Sequence, residues 1–300
     1  MTPALIVLDW GTTTLRASLL DADGATLETR TEPWGIMQVP NGDFGAAYAS
    51  ITAGWQAPGI NAIASGMIGS ANGWTLAPYR AAPASVADLS DALVNVPGTT
   101  LHIVPGLATR GDVMRGEETQ VLGALLLQPA LNASSLLLLP GTHSKWVHIR
   151  EGRVGDFTTY MTGEFFAVLR DHSILGRLSG SLHDGLRGTD AFALGVLAAK
   201  ASNQGIAPLL FSARAMVLTD VLSANVSLNY LSGLLIGDEV RCGLAAGAVP
   251  SALIGDASLC ALYSKALAIF DIDGIPFVEG AVHAGLWAIA MRAGIVKTST

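Results

Sequence analysis

Two segments of this chain, Leu5 to Leu20 ("LIVLDWGTTTLRASLL") and Leu136 to Val154 ("LLLLPGTHSKWVHIREGRV"), follow one plan, and that duplication limits the folds open to it. Gly11-Thr12 falls on Gly141-Thr142 at an offset of 130. Each segment has an apolar run, a short break, Gly-Thr, further polar residues and renewed apolar alternation. Each then turns at a charged, glycine-containing tip, "DADG" or "REG". The pattern predicts two β-hairpins of one design. Ordinary hairpin turns use Asn-Gly or Asp-Gly, whereas these offer hydroxyls and backbone amides, with the Asp9 carboxylate beside the first. Such turns suit an anion.

A chain of 300 residues exceeds the usual single core, so two domains or two lobes are expected, with a cleft between them. Half the residues are apolar, 14% are charged and 34 are glycine, which argues for a compact α/β protein and against disorder. The net charge of −7 disfavours nucleic-acid or membrane-surface partners. Cys242 and Cys260 have no C-x-x-C spacing and no histidine partner nearby, and read as reduced, buried thiols of a cytoplasmic protein. The amino terminus lacks the basic segment of a signal peptide. Gln120 to Ser144 carries no charged residue, but "QPALNASS" interrupts it, so a helix followed by a buried strand is expected there and not a membrane span.

Periodicity predicts a helix at "AAYASITAGWQ", a strand at "NAIASGM" and a helix at "GEETQVLGALLLQP" ending at Pro129. Further helices are expected around Asp190 to Ser202, Leu209 to Leu222, Leu231 to Ala246 and Ser258 to Phe270. The chain closes with a strand at "IPFVEG" and a helix from Ala284 to Ala293.

Two opposed Gly-Thr turns can grip the β- and γ-phosphates of a nucleotide with few cationic side chains. Gly11, Thr12, Thr13, Gly141, Thr142, His143 and Ser144 are the candidates, and Lys145 can add a point charge. Asp9 is placed to hold Mg²⁺ directly or through water. No Walker A sequence competes for the phosphates. "DVMRGEETQVLGAL", Asp112 to Leu125, puts acidic residues at a helix start, where they either favour the helix dipole or accept a hydroxyl proton in phosphoryl transfer.

The duplicated hairpins resemble the phosphate-one and phosphate-two motifs of the actin-like ATPase superfamily. "LDWGTTTLRA" fits its D-x-G-T pattern, while "PGTHSKW" departs from the acidic-glycine-glycine form of the second motif through Pro140 and His143. The segments "ASGMIGSANGW", "LAPY", "IVPGL", "VMRGEETQ", "PGTHSKW", "YMTGEFF" and "LSGLLIGDEV" together resemble the 2-keto-3-deoxygalactonate kinase family. The resemblance weakens over the last sixty or so residues.

That resemblance implies a two-lobed α/β fold of the actin-like ATPase, ribonuclease H-like, type with a central cleft. It implies ATP and Mg²⁺, and transfer of the γ-phosphoryl group to the terminal 6-hydroxyl of 2-dehydro-3-deoxy-D-galactonate in galactonate catabolism. Glu117 and Glu118 are then both candidates for the catalytic carboxylate, with Asp112 behind them. Gly255, in "ALIGDASLCALYSKAL", stands where the superfamily has its adenosine motif. A sugar acid requires a cation and hydrogen-bond donors, for which Arg16, Ser70, Asn72, Trp74 and Arg115 are candidates. Trp74 reads equally as a core residue, and Glu164 either lines the cleft or caps a helix starting after Gly163. Residues 1–105 with 284–300 are expected to form the amino-terminal lobe and 106–283 the carboxy-terminal lobe. The alternatives are a kinase for a related 2-keto-3-deoxy sugar acid, a nucleotide-driven scaffold of the actin type, and a sugar-responsive regulator. A regulator would add a basic helix-turn-helix segment, which is absent from both ends. Association into a homo-oligomer stays open.

Overall fold

The structure, a computed structural model, describes residues 2–178, 186–247 and 249–296. Contacts divide the chain into two units, the first Met1–Ser135, Val147–Phe157 and Val278–Thr300, the second Leu136–Trp146 and Thr158–Phe277. Of the expected amino-terminal lobe, Met1 and residues 297–300 lie outside the described residues, as do 179–185 and 248 of the expected carboxy-terminal lobe.

The first part of the chain forms strands β1 (Pro3–Trp10), β2 (Leu15–Asp21), β3 (Thr26–Glu32), β4 (Asn61–Ser65), β5 (Arg80–Ala81), β6 (Val94–Asn95), β7 (Leu101–Ile103), β8 (Leu107–Ala108) and β9 (Val113–Met114). The later strands are β10 (Ser134–Leu139), β11 (Ser144–Arg150), β12 (Arg153–Tyr160), β13 (Ala252–Ile254) and β14 (Phe277–Val278). One sheet has the order β3-β2-β1-β4-β7-β6 and another β12-β11-β10-β13-β14, while β5-β8-β9 form a small third sheet. The first five strands of the larger sheet thus recur, one for one, in the second. Each predicted hairpin is the start of a three-stranded meander, with a parallel neighbour on its far side: β4 beside β1, and β13 beside β10. Strand β1 is buried on both faces apart from Pro3 and Asp9, as its apolar run requires.

The helices are α1 (Phe44–Ile51), α2 (Val86–Ser90), α3 (Glu117–Leu127), α4 (Thr162–His172), α5 (Leu186–Ala201), α6 (Ala207–Leu210), α7 (Ser212–Leu218), α8 (Ser227–Ala245), α9 (Ala257–Ile269) and α10 (Ala281–Arg292). The single helix expected over Leu209 to Leu222 is broken into α6 and α7. At the break the Ser212 hydroxyl bonds the Leu209 carbonyl at 2.6 Å, competing with the helical ladder.

Glycine lets helices approach closely in both units. A Cβ on Gly123 of α3 would lie 1.8 Å from the Ala281 carbonyl oxygen of α10, and one on Gly285 would lie 2.0 Å from that of Thr119. This contact holds α3 in the first unit; residues 106–135, 147–157 and 278–283 all fall in that unit, whereas 106–283 as a whole was expected to form the carboxy-terminal lobe. In the second unit, Gly195 of α5 and Gly233 of α8 play the same part, with 2.2 and 2.0 Å to backbone oxygens of Tyr230 and Phe192. Cys260 is buried, which pushes its thiol up to about 11, while Cys242 is only half-buried; both are free. Among the described residues no helix is long and apolar enough to cross a membrane.

Candidate active site

In the first unit, the Gly11 turn leaves the end of β1. Its inner side is bonded to the loop that follows β3: Ile36 N–H donates to the Gly11 carbonyl at 3.0 Å and Met37 N–H to that of Thr12 at 3.4 Å. Gly35 lies so close that a Cβ there would come within 2.2 Å of the Thr12 backbone. Thr12 and Thr13 are exposed, and among the described residues no backbone bond engages their N–H groups. Asp9, one residue before Trp10, is partly buried and pairs across the ladder with Arg16. Burial raises its carboxyl, the Arg16 charge opposes that rise, and the Glu117 charge adds to it. Arg16 therefore stands at Asp9.

Two glycines bring α3 to this turn. Gly66, at the end of β4 with φ 99°, would put a Cβ 2.7 Å from the Trp10 carbonyl oxygen, and one on Gly116, with φ 108°, would lie 3.2 Å from Gly66 Cα. Side chains at either position would strain the backbone and hold α3 away. The first helical residues fold back on the preceding amides, Glu117 accepting from Arg115 N–H at 2.9 Å and Glu118 from Gly116 N–H at 2.7 Å. The two glutamates differ sharply in environment. Glu118 is fully buried, and burial, aided by the Glu117 charge, pushes its carboxyl up to about 8. Glu117 is partly exposed and close enough to Asp9 for their charges to interact. Asp112 lies at the tip of the β8–β9 hairpin, where its carboxylate accepts from Val113 N–H at 2.7 Å.

The sugar-acid candidates separate. Arg115 is 8% exposed; its Nη2 donates to the Ala77 carbonyl at 2.9 Å and its guanidinium lies 4.3 Å over the Tyr79 ring. Its Nε and Nη1 are buried without a hydrogen-bond partner, and no carboxylate among the described residues pairs with it. The Ser70 hydroxyl is likewise buried without a partner. A Cβ on Gly69, the residue before it, would lie 2.9 Å from Arg115 Nη1, so serine and arginine are neighbours. Asn72 is exposed. Trp74 packs with Trp10 and Tyr48 at ring separations of 6.5 and 5.7 Å, the core placement, and faces a groove with Gly45, Gln56 and Thr99.

In the second unit the Gly141 turn rests on the start of α4. A Cβ on Gly163 would lie 2.7 Å from both Gly141 O and Thr142 Cα, and Glu164 N–H donates to the Thr142 carbonyl at 3.0 Å. The Glu164 carboxylate pairs with His143, so it braces the turn and does not cap α4, whose N-cap residue is Met161. Lys145 is buried and donates to the His143 carbonyl at 3.3 Å. Thr142 and His143 are exposed, and no backbone bond among the described residues uses their N–H groups. Gly255, with φ 139°, follows β13 and would place a Cβ 3.4 Å from the Pro140 carbonyl oxygen, beside the turn. Asp256 then caps α9. A cavity of about 370 Å³ opens at Gly141 and Thr142, walled by Thr162, Gly163, Phe166, Phe192, Leu235, Ile236, Leu259, Leu262 and Tyr263, with Asn229 and Ser232 as its polar edge.

The family model described as 2-keto-3-deoxy-galactonokinase matches residues 9–289. The chain belongs to this family. A 2-dehydro-3-deoxygalactonokinase of Escherichia coli (strain K12) is 37% identical over 298 residues, covering 97% of this chain and 98% of the relative. A crystal structure of a Sinorhizobium meliloti protein assigned that same activity superposes with a TM-score of 0.87 at 34% identity, over 95% of this chain and 98% of that one. The activator of 2-hydroxyisocaproyl-CoA dehydratase from Clostridium difficile, solved with ADPNP, shares the fold at a TM-score of 0.51 and 12% identity, over 99% of each chain. The actin-like ATPase fold expected from the duplicated hairpins is the fold of this galactonokinase family member.

The family's motif segments contain residues that the sequence alone did not single out. Phe166 and Ser232 lie in "YMTGEFF" and "LSGLLIGDEV" and wall the cavity, and Glu239 is buried beneath it. Apolar residues at helical spacing look like core, so only the glutamate inside an apolar helix carried a signal.

Proposed function

We propose that the chain is an ATP-dependent kinase that phosphorylates the 6-hydroxyl of 2-dehydro-3-deoxy-D-galactonate, a step of galactonate catabolism. The observation that carries the acceptor assignment is the buried Arg115 guanidinium. A buried cation with no carboxylate partner is costly, and an anionic ligand that supplies the missing charge and hydrogen bonds offsets that cost. The acceptor's carboxylate is such a ligand, with the Ser70 hydroxyl as a second donor.

Glu117 is the general base, because it is partly exposed beside Asp9 whereas Glu118 is sealed off, its carboxyl pushed up to about 8 by burial. Its carboxylate accepts the proton of the 6-hydroxyl as that oxygen bonds to the γ-phosphorus. The bond from the γ-phosphorus to the β–γ bridging oxygen breaks, and ADP leaves. In the first unit the free amides and hydroxyls of Thr12 and Thr13 are donors suited to phosphate oxygens; in the second, Thr142 offers the same groups at the mouth of the apolar cavity that takes the adenosine.

Among the described residues no group of three His, Cys, Asp or Glu side chains could hold a metal, so a fully protein-ligated ion does not fit. The donor set is Asp9 with the Glu117 charge close by, two like charges whose repulsion a cation relieves. It suits Mg²⁺, which keeps several waters and takes phosphate oxygens as ligands. When bound, Mg²⁺ neutralises charge on the transferring phosphate.

The test is ADP release measured with the acceptor, without it, and with its uncharged 1-amide. The wild type should turn over only with the carboxylate form. Arg115→Gln should raise KM for the acid by about 10² and erase its preference over the amide. Native KM and native preference in Arg115→Gln would overturn the assignment.

A further inference from the structure

We infer that Glu239 is a positioning residue, one that fixes the Gly141 turn and the start of α4 for nucleotide binding through hydrogen bonds to Tyr263 and Thr162. The inference rests on the nucleotide reading of the cavity given above.

Glu239 lies inside α8 and is 2% exposed. An ionised carboxyl in such a place must be satisfied by donors. Burial pushes its carboxyl up, and the donors that surround it pull the other way. Oε1 accepts from the Trp146 indole N–H at 2.9 Å, and Oε2 accepts from the hydroxyls of Thr162 and Tyr263, each at 2.5 Å. The three donors come from three elements, β11, α4 and α9. Four segments of the second unit therefore meet at one side chain.

The bonds do not stop there. Tyr263 Oη is 2.8 Å from Ser144 Oγ, which is 3.3 Å from the Gly141 amide nitrogen. A hydroxyl has one proton. If Tyr263 gives its proton to Glu239, its oxygen must accept from Ser144, and Ser144 in turn accepts from Gly141 N–H. Ser144 also reaches the Glu239 carboxyl, and the remaining competitor for its proton, the Gly141 carbonyl, is longer at 3.4 Å; whether Tyr263 or Glu239 takes that proton, Ser144 is left to accept from Gly141 N–H. The carboxylate thus sets the direction of a relay that ends on the turn and draws the Gly141 N–H inward. The other arm fixes Thr162, next to the Gly163 on which the turn rests. Gly141, Thr142, Thr162, Gly163 and Tyr263 all wall the cavity, and Glu239 itself does not. An amide cannot replace the carboxylate, because its NH₂ group would face a donor.

Calorimetric titration of the free protein with ADP, without acceptor, tests this on the wild type, Glu239→Gln and Tyr263→Phe. Tyr263→Phe keeps the ring in the cavity wall and cuts only the relay, so it carries the test if Glu239→Gln does not fold. The expected result is a Kd for ADP raised about tenfold in each folded variant, with KM for ATP rising in step and KM for the sugar acid unchanged. A residue that only stabilised the fold would lower Tm and leave ADP affinity alone. Folded variants that bind ADP within about twofold of wild type would overturn the inference while leaving the nucleotide reading intact. A wild-type protein that does not bind ADP would overturn that reading, and the inference with it.

Discussion

The turns at Gly11 and Gly141 occupy the same place in two sheets of matching strand order, yet they are furnished differently. Each follows a central strand, and each is flanked by a glycine of positive φ at the end of the parallel neighbour, Gly66 or Gly255. Their added Cβ atoms would approach the carbonyls of Trp10 and Pro140, positions related by the same offset of 130. The side chains then diverge. Asp9 in the first turn has Leu139 as its counterpart in the second, and the first turn has Glu117 close by where the second has an apolar cavity. On the function proposed above, one backbone design serves charge and proton transfer in one unit and nucleoside binding in the other. The buried carboxylates differ as well: burial pushes Glu118, at the start of α3, up to about 8, whereas Glu239 is met by the Trp146, Thr162 and Tyr263 donors beneath the second turn.

If the first turn carries the chemistry, its carboxylates should act on kcat and those of the second unit on nucleotide affinity. The largest effect is expected for Asp9→Asn, a fall in kcat of about 10⁴ with the fold intact, since several kcal/mol of charge stabilisation are lost. Steady-state assays at saturating Mg²⁺ check this, and near-native kcat there would remove the metal role. Glu117→Gln should come next, lowering kcat by about 10²–10³ while KM for the sugar acid stays within about threefold, as for a group that acts in the transition state. If both Glu117→Gln and Glu118→Gln keep a tenth or so of native kcat, the base is elsewhere and Asp112 is the next residue to change.

A smaller effect should appear on the other side of the comparison. Gly163→Ala places a methyl 2.7 Å from the Gly141 carbonyl oxygen, so the second turn must shift. KM for ATP should rise about tenfold with kcat changed far less. An unchanged KM for ATP would show that the α4 contact does not shape the nucleotide site.

The smallest catalytic effect belongs to Glu118→Gln, with kcat within about threefold of wild type and a distinctive dependence of stability on pH. The folded-state value of about 8 stands above the ordinary 4.5. Between those values the folded protein keeps a proton that the unfolded chain has lost, so the contribution of this group is full below about pH 4.5 and is lost as pH rises through about 8. The glutamine variant lacks that slope. Its Tm relative to wild type should climb by about 5 °C or more between pH 5 and pH 9. A constant difference across that range would mean that Glu118 is ionised in the folded state.

Much of this arrangement was legible in the sequence. The repeat anchored at Gly11 and Gly141 implied two related α/β units; Asp9 was a candidate from its place at the end of the first strand, and Arg115 and Ser70 were candidates from the sugar-acid acceptor that the family resemblance implied. The helix α3 was legible as well, but not its unit, because Gly123 and Gly285 make their contact across more than half the chain. The two glutamates were indistinguishable in sequence, since only burial separates adjacent residues on a helix. The cavity was hidden for a related reason: Phe166, Phe192 and Leu262 have the spacing and chemistry of ordinary core. Trp74, which the sequence left open between core and ligand site, packs against Trp10 and Tyr48 and also faces a groove.

The division of labour between the two turns is tested most directly by titrating Asp9→Asn with ADP in the absence of divalent cations. If the second unit binds the nucleoside and Asp9 serves only metal and charge, the variant binds metal-free ADP at least as tightly as wild type, because a negative charge near the phosphates is gone. A metal-free Kd raised tenfold or more, in step with the loss of kcat, would contradict the account and make Asp9 part of the nucleotide site itself.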